Sequence, residues 1–128
     1  MYKKILVGLV LFGILTTTIA ACGIYDISNV PTGPTVHMGN ANFVQPSISI
    51  SKGQSINFID DVAVEHIIKN GTWSSSGSME LKAESGAPGV NATFNGNDSN
   101  MIGPFNTSGT FHLLCTLHTG MNLTVTVS

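Results

Sequence analysis

Apolar and polar residues alternate along much of the chain beyond residue 35, with the period of two expected of half-buried strands. Ser47-Ile48-Ser49-Ile50-Ser51 alternates without a break and predicts one such strand. Lys52-Gly53 predicts a turn, and residues 54–59 predict the next strand, with Ile56 and Phe58 on one face. Asp60 and Asp61 then read as turn residues. Residues 65–69 predict a further short strand, residues 70–78 a polar loop, and residues 79–82 an edge strand. Residues 84–100 carry Gly86, Pro88, Gly89 and Gly96 and predict mostly loop. Residues 109–115 place Phe111, Leu113 and Cys115 on one face. In the last strand Leu123, Val125 and Val127 alternate with Asn122, Thr124 and Thr126. Residues 36–44 are only weakly strand-like. Short strands separated by turn signals, with no amphipathic helix, predict an all-β fold: an antiparallel sandwich.

The first 21 residues follow a different pattern. Lys3 and Lys4 precede an apolar run from Ile5 to Leu15, broken by Thr16-Thr17-Thr18. The run has the length of a signal-peptide core and is too short for a membrane span. Ile19-Ala20-Ala21-Cys22 follows and resembles a bacterial lipobox, in which the Cys is acylated and becomes the mature N-terminus. An ordinary secretory signal and an uncleaved anchor are the alternatives. The lipoprotein reading is preferred because Cys22 falls where the small-residue cleavage site belongs. The expected organisation is a signal segment 1–21, a tether 22–35 rich in Pro and Gly, and a single domain 36–128. Acylation would hold the protein to a cell membrane outside the cytoplasm without a spanning helix.

Composition narrows the function classes. The chain has 128 residues, is 42% hydrophobic and only 9% charged, and has a formal net charge of −2. It contains no Arg and no basic run, which argues against nucleic-acid binding. No Ser/His/Asp arrangement or carboxylate pair suggests hydrolysis. There are two Cys. Acylation of Cys22 would leave Cys115 unpaired in an oxidising compartment, and metal ligation is the simplest reason to keep it there.

Cys115-Thr116-Leu117-His118-Thr119-Gly120-Met121 lies between the last two predicted strands. It presents a thiolate, an imidazole and a thioether at Cys-x-x-His-x-x-Met spacing, and His66 stands about fifty residues upstream. Two imidazoles, one thiolate and a weak thioether form the ligand set of a trigonal blue-copper site. Taken singly, Cys115 reads as a buried thiol, His66 and His118 as surface imidazoles, and Met121 as core filler. The spacing of the whole set favours ligation. His112 alternates away from Cys115, and His37 has no partner at ligand spacing, so both read as structural or surface residues.

At these residues the sequence resembles the cupredoxins, the blue copper proteins that include plastocyanin, pseudoazurin and amicyanin. The short Cys-x-x-His-x-x-Met loop is most similar to that of amicyanin. Further likeness lies in Lys52-Gly53-Gln54-Ser55-Ile56-Asn57-Phe58, Glu65-His66-Ile67-Ile68 and Gly109-Thr110-Phe111. The resemblance implies a Greek-key β-sandwich holding one copper ion. His66, Cys115 and His118 would be equatorial ligands and Met121 the axial one. It further implies a monomeric electron carrier cycling between Cu(I) and Cu(II), with other redox proteins as partners and no enzymatic activity. Glu65 stands where many members have Pro, and Ile67 where plastocyanin-like proteins often have Asn. Thr116, Leu117 and Thr119 keep backbone N–H groups that Pro would remove, and these are expected to reach the Cys115 sulfur. The rival readings are a copper-delivery protein, a domain of a multicopper oxidase or nitrite reductase, and a zinc site. The last gains little from Met.

Overall fold

The computed structural model describes residues 33–128. The signal segment 1–21, Cys22 and nearly all of the expected tether lie outside the described residues. The described residues contain ten strands and no helix. The strands are β1 (Thr35–Met38), β2 (Ser47–Ile50), β3 (Ile56–Asp60), β4 (His66–Asn70), β5 (Thr72–Trp73), β6 (Met79–Glu80), β7 (Asn91–Phe94), β8 (Ser99–Ile102), β9 (Gly109–Cys115) and β10 (Asn122–Val127).

They form a three-stranded sheet of order β1-β3-β8, a five-stranded sheet of order β2-β10-β9-β4-β7, and a hairpin of β5 and β6. The apolar faces of the two larger sheets meet in one buried cluster. Val36, Met38, Ile56, Phe58 and Ile102 come from the first sheet, and Ile68, Phe94, Phe111, Leu113, Leu123 and Val125 from the second. Phe58 sits at its centre, with its ring 6.1 Å from that of Phe43 and 6.2 Å from that of Phe94. Burying one such ring stabilises the fold by about 1.5–3 kcal/mol.

The sandwich follows the alternation read from the sequence, but both of its sheets are mixed. β1 pairs with β3, and β2 with β10, in parallel. The chain crosses from the first sheet to the second between β1 and β2 and returns for β3, so β3 enters beside β1 in the same direction. Alternation fixes which face of a strand is buried but says nothing about the direction of its neighbour. Four local expectations change. β1 begins at Thr35, inside the expected tether. β5 (Thr72–Trp73) lies within the segment 70–78 expected to be a polar loop. β7 lies within the Gly- and Asn-rich segment 84–100 expected to be loop, and β8 begins in its last two residues. Asp60 closes β3 as a buried strand residue and is not part of a turn.

Candidate metal centre

β4 and β9 are adjacent and antiparallel, with Ile68 opposite Cys115. Side chains two apart on a strand share a face. His66, two residues before Ile68, therefore lies beside the chain that continues past Cys115. A bond from Thr116 N–H to the Ile67 carbonyl (2.9 Å) extends the pairing one step into the loop. That donor is thus engaged by Ile67, and the expectation that it would serve the Cys115 sulfur does not hold.

The chain then reverses within a few residues. Met121 N–H donates to the His118 carbonyl (3.1 Å) and Cys115 N–H to the Met121 carbonyl (3.0 Å). Gly120 takes φ +81°, a left-handed backbone that glycine adopts without strain. This tight return puts His118 at the turn and Met121 at the base of the loop.

The metal-binding atoms of His66, Cys115 and His118 all lie within 4.8 Å of one another. No other group of three or more His, Cys, Asp or Glu among the described residues is arranged to hold a metal. Cys115 Sγ is 3.4 Å from His118 Nδ1. Donors held about 2.0–2.3 Å from one ion lie roughly 3.3–3.8 Å apart, so this pair fits a shared metal. The two imidazole rings are 4.8 Å apart between centroids. Cys115 and His66 are fully buried, while His118 is half-buried. Met121 is buried at the base of the same loop.

His66 tests whether a metal fits. Both of its ring nitrogens are buried and have no hydrogen-bond partner. An orphaned buried polar atom costs about 1–3 kcal/mol, and a metal ion would satisfy one of the two. Burial holds the His66 ring below the ordinary imidazole range. The nearby Asp60 opposes that effect, His118 reinforces it, and the Gly39 carbonyl opposes it. A neutral imidazole is the form that ligates. The donor set of one thiolate and two imidazoles suits copper in both oxidation states.

Three residues around the site carry weight that the sequence reading did not give them. Trp73 donates its indole N–H to the Cys115 carbonyl (2.8 Å). Asn122 clasps the Trp73 backbone from both sides, accepting from its N–H (2.7 Å) and donating to its carbonyl (2.9 Å). The hairpin is thus fastened to both ends of the ligand loop. Nothing in the local pattern around Trp73 marked it. Asp60, the third, was legible: it is two residues beyond Phe58 and four beyond Ile56, on the buried face of β3. The two remaining imidazoles lie outside the cluster, as expected. His37 pairs with Asp61 (2.8 Å) and His112 with Glu84 (2.6 Å).

This architecture is the cupredoxin fold, and the described residues carry it with a thiol and two imidazoles gathered on the strands β4 and β9 and the loop after β9. Amicyanin from Paracoccus versutus superposes with a TM-score of 0.57 at 16% identity, covering 76% of this chain and 82% of that one. A purple cupredoxin from Nitrosopumilus maritimus gives a TM-score of 0.55 at 18% identity, over 74% of this chain and 99% of that one. A copper-containing nitrite reductase from Thermus scotoductus gives 0.58 at 17% identity, over 75% of this chain but only 22% of the enzyme. No protein-family profile and no curated protein sequence matches the chain.

Proposed function

We propose that this domain is a one-electron carrier in which His66, Cys115 and His118, with Met121 as a weaker fourth donor, would hold a single type 1 copper ion. The observation that supports this reading is the convergence of one thiol and two imidazoles within 4.8 Å. Bound copper would supply the Cu(II)/Cu(I) couple. The chain's own residues do the rest. The β4–β9 pairing and the Trp73–Asn122 clasp hold the donors in place, so that little rearrangement accompanies a change of oxidation state. Half-buried His118 and exposed Leu117 lie in a loop with no charge between Thr116 and Met121. That rim suits brief, weakly polar contact with other redox proteins. The described residues bring together one ligand cluster, and a single mononuclear site suits one-electron transfer. In this reading Cys22 is acylated and the domain works outside the cytoplasm, tethered to a membrane.

Repeated chemical reduction and reoxidation of the copper-loaded protein tests the carrier role. A carrier bleaches and recolours with its copper retained against a chelator. Loss of copper on first reduction would mark a delivery protein instead. Cys22→Ser should release the full chain from membranes without changing the copper spectrum, and continued membrane association would point to an uncleaved anchor.

A further inference from the structure

The side chain of Asp60 is fully buried, and so is that of His66. Asp60 Oδ1 accepts a long bond from Val62 N–H (3.3 Å) and faces His66 Nε2 at 3.8 Å. Asp60 Oδ2 has no partner, nor does either nitrogen of His66. Two buried polar groups face each other with most of their hydrogen-bonding capacity unmet. Such an arrangement is costly by itself and needs a function or a missing partner to account for it. The gap of 3.8 Å exceeds a hydrogen bond, and a movement of the ring by under about 1 Å would close it.

We propose that Asp60 is the positioning residue of the metal centre: its carboxylate accepts the Nε2 proton of His66 and thereby presents Nδ1 to the metal. This inference rests on the copper reading above and deepens it. Metal-bound imidazoles commonly donate their other N–H to a carboxylate, which fixes tautomer and ring orientation and makes the ring a stronger donor. Here the acceptor comes from the three-stranded sheet and the ligand from the five-stranded one. A charge-assisted bond to His66 raises the electron density of the ligand. It therefore favours Cu(II) over Cu(I) and holds the reduction potential down. The Gly39 carbonyl also lies near this ring, without a hydrogen bond to it.

Asp60→Asn and Asp60→Leu test the assignment. Asn keeps an acceptor oxygen without the charge, and Leu removes both. Removing an outer partner of this kind lowers metal affinity about 10–100-fold. Each variant should therefore lose Cu(II) affinity by about 10–100-fold and Cu(I) affinity by less. Each tenfold difference raises the potential by about 59 mV. Leu should have the larger effect. In the metal-free protein the same substitutions remove a buried carboxylate oxygen that has no partner, against at most one long bond from Val62 N–H, so melting temperature should hold or rise. Copper binding weakened in an apo protein of undiminished stability is a signature that a merely structural Asp60 would not give. Unchanged potential and affinity in both variants would overturn the proposal. Equal losses of Cu(I) and Cu(II) affinity alongside a lower apo melting temperature would overturn it as well. Absence of a blue band in the unsubstituted protein would be a failure of the copper reading, seen before any variant is made.

Discussion

Asn122→Ala should loosen the metal centre without touching a ligand. The Asn122 side chain makes two bonds to the Trp73 backbone, at 2.7 and 2.9 Å, and the Trp73 indole bonds the Cys115 carbonyl at 2.8 Å. Each such bond contributes about 0.5–1.5 kcal/mol net. Removing two costs about 2 kcal/mol, because half-buried Trp73 recovers only part of the loss from water. For a domain of this size that corresponds to roughly 8–16 °C in melting temperature. Trp73→Phe keeps most of the ring and loses one bond, so it should cost about 1 kcal/mol, or roughly 4–8 °C. Both substitutions free the same hairpin from the same loop. The double variant should therefore fall short of the sum by at least about 0.5 kcal/mol. Thermal unfolding of the metal-free proteins measures all three, and copper release into a chelator should be faster in each. Asn122→Ala melting as high as Trp73→Phe, or strictly additive losses, would refute the idea that the clasp acts as one unit.

Three further outcomes are expected. Phe58→Ala empties the centre of the core and should cost about 3–5 kcal/mol in denaturant unfolding, against a total of about 5–15 kcal/mol for a typical domain. Partial burial pushes Glu84 upward, but the side-chain bond with His112, the backbone N–H groups of Glu84 and His112, and the charge of His112 together outweigh this and hold the carboxyl below its ordinary value of 4.5. A depressed carboxyl binds protons more readily when unfolded, so its contribution is complete above pH 4.5 and fades as pH falls through the lower folded value. Glu84→Gln should accordingly flatten that part of the stability–pH curve, and an unchanged acid limb would show that the pair contributes nothing. Met121→Leu should retain copper and raise its potential, measured by redox titration, because a long axial thioether tunes the couple more than it binds the metal. Loss of all copper in that variant would remove Met121 from the axial position.

The alternation from Ser47 onward made the strand faces legible, because burying one face of a sheet demands it. The pairing of Cys115 with His118 was legible for a different reason: the two are close in sequence, and the structure brings both together with His66. Sheet order and the parallel pairs were not legible, since they depend on how the chain crosses between layers. β7 escaped notice because Asn91 and Thr93, its outward-facing residues, resemble the turn residues around them. Asp60 was misread because a pair of Asp residues after a strand usually turns the chain. Its position in the Ile56–Phe58 series carried the opposite message, and the buried face prevailed. The clasp of Trp73 by Asn122 joins residues 49 positions apart and leaves no local trace.

Titration of Cu(II) into the protein, followed by visible absorption, tests the central claim most directly. The account predicts an intense thiolate-to-copper band that saturates at one copper per chain. Cys115→Ser should abolish the band, while His37→Ala and His112→Ala should leave it unchanged. A colourless protein that nonetheless holds copper tightly, or a band that survives Cys115→Ser, would contradict it.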